Sequence, residues 1–233
     1  DYVEEYDTLG TTLNDSETTV NFTHDTAGIV AGSIIEIGTE LMYVFSMNAS
    51  TNNATVQRGF RGTTAASHSS GDLITVNPKF PSQLVLNAVN DELADLSSPQ
   101  NGLYQIKTVE FTYNIAQDGY NLTGVTDDIL SVYQVTYKDT GSEDTEPVVP
   151  AWTLRRDRNT SSFASGYALV LHDDAASGQT IRVQYKTGFA SLAATSTALS
   201  TVGLHSEAYD LPALGAALRS ISTRPVRREF IDE

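Results

Sequence analysis

The chain has 233 residues, 40% hydrophobic and 18% charged, with 29 Asp and Glu against 14 Lys and Arg for a net charge of −15. That length and apolar content suit one large or two small β domains with a real core, and the acidic balance repels nucleic acid from the average surface. The absence of cysteine excludes a disulfide framework and a thiolate metal site, and no apolar run approaches the ~20 residues of a membrane helix.

Residues 1–9 are acidic and aperiodic and read as an N-terminal arm; the acidic start does not read as a secretory leader. Residues 10–80 read as a small β-barrel-like module. Val20 and Phe22 alternate with Thr19, Asn21 and Thr23. Ser33–Phe45 reads as a hairpin turning at Gly38-Thr39, with Ile35, Ile37, Leu41 and Tyr43 on one face and Glu36 and Glu40 flanking the turn in solvent. Ala54–Gln57 and Leu73–Val76 add two strands. Six Asn-x-Ser/Thr triplets, beginning at Asn14, Asn21, Asn48, Asn53, Asn121 and Asn159, are expected coincidences of a chain rich in these residues.

Residues 81–102 form a helix and linker. Val85, Val89, Leu93 and Leu96 make an apolar stripe over Ser82–Ser97, with Asn87, Asp91 and Asp95 opposite and Pro81 in the first turn. The helix is expected to pack on a sheet, with an interface role as the sharper option. Residues 103–190 read as a β-sandwich. Val109, Phe111, Tyr113 and Ile115 share one face, and Val132, Val135, Tyr137, Trp152, Leu154, Tyr167, Leu169, Leu171, Ile181, Val183 and Tyr185 mark further strands. His172-Asp173-Asp174 is read as a turn rather than a metal corner. Residues 191–233 hold a second helix, near 208–222, and a basic tail. Leu211, Leu214, Leu218 and Ile221 form its stripe, Asp210 can cap it, and Ala213, Gly215, Ala216 and Ala217 permit close approach to a neighbour. Arg219, Arg224, Arg227 and Arg228 cluster on an otherwise acidic chain. They either offset the helix dipole or meet an acidic patch on another subunit. The fold class is therefore mainly β: a small β-barrel-like module plus a β-sandwich, with two short α-helices.

The stretch Arg58-Gly59-Phe60-Arg61-Gly62-Thr63-Thr64-Ala65-Ala66-Ser67-His68-Ser69-Ser70-Gly71 carries the most information. Gly59, Gly62 and Gly71 suit positive φ or close backbone approach. A phosphate-cradling loop needs a lysine after the last glycine and then a helix; Asp72 and an extended segment follow instead. Arg58 reads as a tie between the loop and nearby carbonyls or carboxylates. Arg61 reads as structural, and His68 as a loop hydrogen-bonder rather than a metal ligand.

With the Gly-Thr-Glu hairpin and the Asn/Ser turn before it, this loop resembles a small β module of tailed-bacteriophage structural proteins, over residues 10–78. The helix after Phe80-Pro81, the sandwich and the terminal Asp-Leu-Pro-Ala-Leu-Gly-Ala-Ala segment are similar to proteins of phage head-to-tail gene clusters. No catalytic constellation stands out: there is no Gly-x-Ser-x-Gly and no His-Glu-x-x-His, and the histidines are scattered. The resemblance implies a non-enzymatic virion protein made in the host cytoplasm, a head-to-tail connector (neck or adaptor) repeated in a ring. No cofactor and no metal are expected. Its partners would be copies of itself and portal, adaptor or tail proteins, with no sequence-specific nucleic acid and no membrane. Arg219, Arg224, Arg227, Arg228, Leu214 and Leu218 are the subunit-interface candidates. The alternative is a tail-fibre or baseplate protein that binds host glycan.

Overall fold

The computed structural model describes residues 5–24, 28–98, 101–117, 119–126, 128–138, 146–172 and 176–222. Strand outweighs helix, 34% to 19%, so the chain is mainly β. It divides into two compact units. Unit 1 runs to Glu92 and takes in Leu192–Thr201 and the stretch from Ser206; unit 2 is Leu93–Ser191 with Val202–His205.

Unit 1 is built on a six-stranded antiparallel sheet of β1 (Glu5–Thr8), β2 (Thr19–Asn21), β3 (Ile34–Ile37), β4 (Glu40–Asn48), β5 (Asn53–Gln57) and β6 (Leu73–Val76). The strand order is β1-β6-β3-β4-β5-β2, and the sheet curls into a half-barrel. Its two edges meet where Leu9 bridges Phe22 and the Gly10 N–H donates to the Asn21 carbonyl. Leu9, Leu13, Val20, Phe22, Ile35, Met42, Val56 and Ile74 belong to the enclosed core.

Three sequence expectations change here. The acidic start is not an arm throughout: Glu5–Thr8 pairs with Leu73–Val76 as an edge strand. Its one inward polar side chain, Asp7, is buried and accepts from the Thr8 N–H and from His24. The hairpin faces also differ from the expected set. A two-residue turn makes Ile37 and Glu40 direct partners, so Ile35 faces Met42 and Glu36 faces Leu41. Ile35 and Ile37 therefore share a face with Glu40 and Met42, while Leu41 belongs to the opposite face, because side chains alternate strictly along a strand. Finally, neither glutamate is solvated: Glu40 is 1% exposed and Glu36 6%.

The asparagine triplets have a local job. Asn14, Asn48 and Asn159 each accept, through Oδ1, from the backbone N–H and the hydroxyl of the serine two residues on. These are side-chain turns of the kind Asn favours. Asn21 and Asn53 instead bond each other across β2 and β5.

Helix α1 (Ser82–Leu96) has Leu86, Ala88, Leu93 and Leu96 buried and Asn87, Asp91 and Asp95 exposed. Its first N–H groups lack intrahelical partners, and the Glu36 carboxylate reaches from β3 to accept from the Ser82 N–H. Helix α2 (Asp210–Ser222) packs beside it. Arg219 donates to Glu92 at 3.0 Å, and a Cβ placed on Gly215 would fall 2.1 Å from Glu92 Cδ. Where a sheet was expected to receive α1, its Val85 and Val89 line an apolar groove of about 400 Å³ with Ala213, Ala216 and Ile221 of α2.

Unit 2 has two three-stranded sheets around one core. One is β7 (Gln105–Thr112), β12 (Thr180–Thr187) and β9 (Ile129–Tyr137), with β12 central; the other is β10 (Trp152–Arg155), β11 (Ala168–Leu171) and β8 (Tyr120–Asn121), with β11 central. Both contribute to the core, β12 through Ile181, Val183 and Tyr185 and β11 through Leu169. Ile115 leaves the face expected for it: β7 ends at Thr112, the chain turns, and Ile115 is 67% exposed.

Candidate functional site

The loop Arg58–Gly71 is organised around one buried carboxylate. Glu40 sits at the start of β4, and hairpin parity aims it inward. Its Oε1 accepts from Arg58 Nε at 2.7 Å and from the Gly59 N–H at 3.1 Å. Its Oε2 accepts from Arg58 Nη2 at 2.8 Å, the Ala66 N–H at 3.0 Å and His68 Nε2 at 2.9 Å. A carboxylate only accepts, so His68 carries its proton on Nε2.

Arg58 spends its whole guanidinium on the same knot. Nη1 donates to the Asn14 and Glu17 carbonyls at 2.6 and 2.7 Å, and Nη2 also donates to the Ala66 carbonyl at 2.6 Å. With the two bonds to Glu40, all five donors of the planar fork are used. The pair is nearly dry, with side chains 7% and 1% exposed. Burial pushes the Glu40 carboxyl up. The bonds from Arg58, His68, Ala66 and Gly59 together outweigh it and bring it down from 4.5 to about 2.

The backbone is bent to serve this centre. Gly59 has φ +61°, and a Cβ there would lie 2.9 Å from the Thr63 carbonyl oxygen. Arg61 also adopts positive φ, at 54°, and its guanidinium lies 5.6 Å from the centroid of Phe60. Gly62 and Gly71, at +80° and +90°, have open space around the missing Cβ. His68 bridges Leu13 through backbone bonds in both directions. The knot thus joins the turn at 14–17, the hairpin and the loop. Every polar atom of Glu40 and the Arg58 guanidinium is occupied, so this is a structural centre with nothing left over for a substrate.

The candidate interface residues fall elsewhere. On α2 the buried residues are Pro212, Ala216 and Ser220, four apart; of the expected close-approach residues Ala216 is buried and Gly215 meets Glu92 of α1, while Ala213 and Ala217 are exposed. Leu211, Leu214 and Leu218 lie on the opposite side and are 44%, 68% and 70% exposed, and Ile221, at the rim of the groove to α1, is 63% exposed. Arg219 is engaged by Glu92 within the same unit, while Arg224, Arg227 and Arg228 lie outside the described residues, as do Asp173 and Asp174. His172 Nε2 is 2.8 Å from the Thr153 hydroxyl. Among the described residues, no group of three His, Asp or Glu is placed to hold a metal ion.

Sequence reasoning missed two features. Glu40 looked like a turn-flanking surface charge, and only the two-residue turn count would have shown it facing Ile37. Unit 2 also carries Arg155, Arg156 and Arg158 around a cleft. Their spacing in the sequence is visible, but not that the intervening turn sets two of them on one wall. No protein-family model and no curated protein matches this chain.

Proposed function

We propose that the chain is a non-enzymatic structural component of a tailed-phage virion, assembling in several copies into a ring at the head-to-tail joint. The observation that carries this reading is the orientation of α2. Its buried arc is Pro212, Ala216 and Ser220, and the large apolar side chains Leu211, Leu214 and Leu218 are left in solvent, with Ile221 exposed beside the groove to α1. Contiguous exposed apolar surface of this kind marks a protein contact, and in a ring each copy offers it to the next. The resemblance of residues 10–78 to a phage structural module supplies the virion setting. The fully satisfied Glu40–Arg58 knot suits a part that holds its shape under assembly.

Native mass spectrometry of the purified chain, with electron microscopy of virions, tests the reading. Several copies arranged around the tail axis are expected. A single copy, or three at a fibre, overturns it.

A further inference from the structure

We propose that unit 2 carries a binding site for an acidic saccharide, a carboxylate-bearing sugar chain, in the cleft between Val125, Thr126 and Asp128–Leu130 on one side and the segment that follows β10 on the other. The inference concerns unit 2 alone and stands whether or not the chain forms rings. The cleft has a volume of about 780 Å³, and its wall includes Asp128, Arg156, Asp157, Arg158, Thr160 and Tyr167. A smaller cavity of about 320 Å³ adjoins it, lined in part by Arg155, Arg158 and Phe163. Arg158 therefore borders both.

The chemistry of the wall is selective. Three of the 14 basic side chains of a chain with net charge −15 stand within four positions of sequence. Asp157 between them adopts φ +55°, a left-handed turn conformation that Asp, with Asn, takes more readily than other side-chain-bearing residues. In a straight strand Arg156 and Arg158 would share a face through alternation alone, but this segment has left the strand. The turn at Asp157 is what keeps both on the cleft. Arg156 is braced by donating from Nη2 to the Leu130 carbonyl at 2.8 Å. Arg155 and Arg158 have no side-chain partner among the described residues. Guanidinium donors without a side-chain partner among the described residues thus line a concave surface, the arrangement expected of a binding site rather than of a solvated charge.

The same wall offers acceptors. Asp128 accepts from the Tyr167 hydroxyl through Oδ1 at 3.4 Å, which leaves Oδ2 for a ligand. Tyr167 also accepts from the Ile129 N–H, at 3.2 Å, which fixes its ring at the cleft. The Asp157 carboxylate has no partner among the described residues. A ligand that satisfies both sets needs hydroxyl donors for Asp128 and Asp157 and a carboxylate for the planar fork of Arg158. Inorganic phosphate at neutral pH supplies few donors, and an oligoglutamate backbone lacks hydroxyls. A uronic-acid oligomer supplies both, and the half-buried rings of Tyr167 and Phe163 give its C–H faces an apolar surface.

Titration calorimetry on the full chain at low salt decides the matter, with tri-galacturonate as probe and its methyl ester, maltotriose, oligoglutamate and single-stranded DNA as comparators. Tri-galacturonate is expected to bind at least about tenfold more tightly than any comparator, and Arg158→Gln to weaken it by about tenfold or more, the range for a lost charge-assisted hydrogen bond. Asp128→Asn tests the acceptor side and is expected to weaken tri-galacturonate in the same direction. Arg61→Gln, an exposed arginine of unit 1, is expected to leave binding unchanged. Because Arg158 is exposed and has no side-chain partner among the described residues, its loss should not disturb folding, which circular dichroism checks. Absence of tri-galacturonate binding at millimolar concentration overturns the proposal, as does equal weakening by Arg61→Gln. Tighter binding of oligoglutamate or of single-stranded DNA would assign the cleft to an acidic peptide or to nucleic acid and overturn it as well.

Discussion

Replacing Glu40 by glutamine keeps the volume of the side chain and removes its charge. The wild-type carboxylate is 1% exposed and takes five hydrogen bonds, two of them from Arg58. Glutamine has one accepting oxygen and puts an NH₂ where Arg58, Ala66 and His68 now donate, leaving a buried guanidinium without its counter-charge. Two routes give the magnitude. Breaking a buried ion pair by removing one partner costs about 3–5 kcal/mol. Independently, the carboxyl is held at about 2 against 4.5, a difference that corresponds to about 3 kcal/mol of stability at neutral pH. The sign follows from the direction: a lowered native value means the contribution is complete above pH 4.5 and is lost as the pH falls through about 2. Urea unfolding followed by far-UV circular dichroism should show Glu40→Gln destabilised by about 3 kcal/mol at pH 7, with the gap narrowing below pH 4.5 and nearly closed near pH 2. Hydrogen exchange places the effect: protection should fall at the Gly59 and Ala66 amides. The only tryptophan, Trp152, lies in unit 2, so its fluorescence separately follows that unit. A loss under about 1 kcal/mol at pH 7, or a gap that persists unchanged to pH 2, would refute the idea that an ionised Glu40 holds the loop.

The other expectations differ in kind. Gly59→Ala forces a Cβ to 2.9 Å from the Thr63 oxygen at φ +61°, and should cost about 1–3 kcal/mol in the same urea assay; Gly62→Ala, at positive φ but in open space, should cost less. Leu214→Ser with Leu218→Ser, at 68% and 70% exposure, should leave the melting temperature within about 2 °C while native mass spectrometry shows loss of the oligomer; an unchanged oligomer would remove α2 from the interface. Glu110 accepts from Lys138 and Arg182, and these bonds hold its carboxyl below the usual range, yet all three side chains are a quarter or more exposed. Glu110→Gln should therefore have a small effect on unfolding that fades in 1 M salt; a large, salt-independent loss would mean that the ladder is shielded from solvent.

Much of the fold was legible because strands and helices announce themselves by period. The alternation of Ile181, Val183 and Tyr185 and the stripe of Leu93 and Leu96 lie where their spacing places them. What period does not carry is phase across a turn. Alternation puts Ile35 and Ile37 on one face, but continuing the odd numbers into Leu41 and Tyr43 requires a loop of odd length. The two-residue turn at Gly38-Thr39 reverses the parity, and with it the fate of Glu40. The donors that make a buried glutamate tolerable come from residues 18 to 28 positions away, beyond the reach of any local pattern. The fork geometry of Arg58 marks it as a tie, while nothing local marks Glu40 as its buried partner.

Helix α2 shows the complementary limit. A stripe of Leu211, Leu214, Leu218 and Ile221 implies that something apolar covers that face, but period alone does not say what. The usual inference is that the large side chains are the core face. Here the absent Cβ of Gly215 admits the Glu92 side chain of α1, and the buried residues of α2 are Pro212, Ala216 and Ser220. With Pro212, Ala216 and Ser220 turned inward, the leucines, on the remaining arc of a helix with 3.6 residues per turn, face outward. The arc that is buried within the chain thus leaves an apolar row exposed. That is why the two halves of the α2 pattern, close approach at Gly215 and a leucine stripe, lie on different arcs of the helix rather than one.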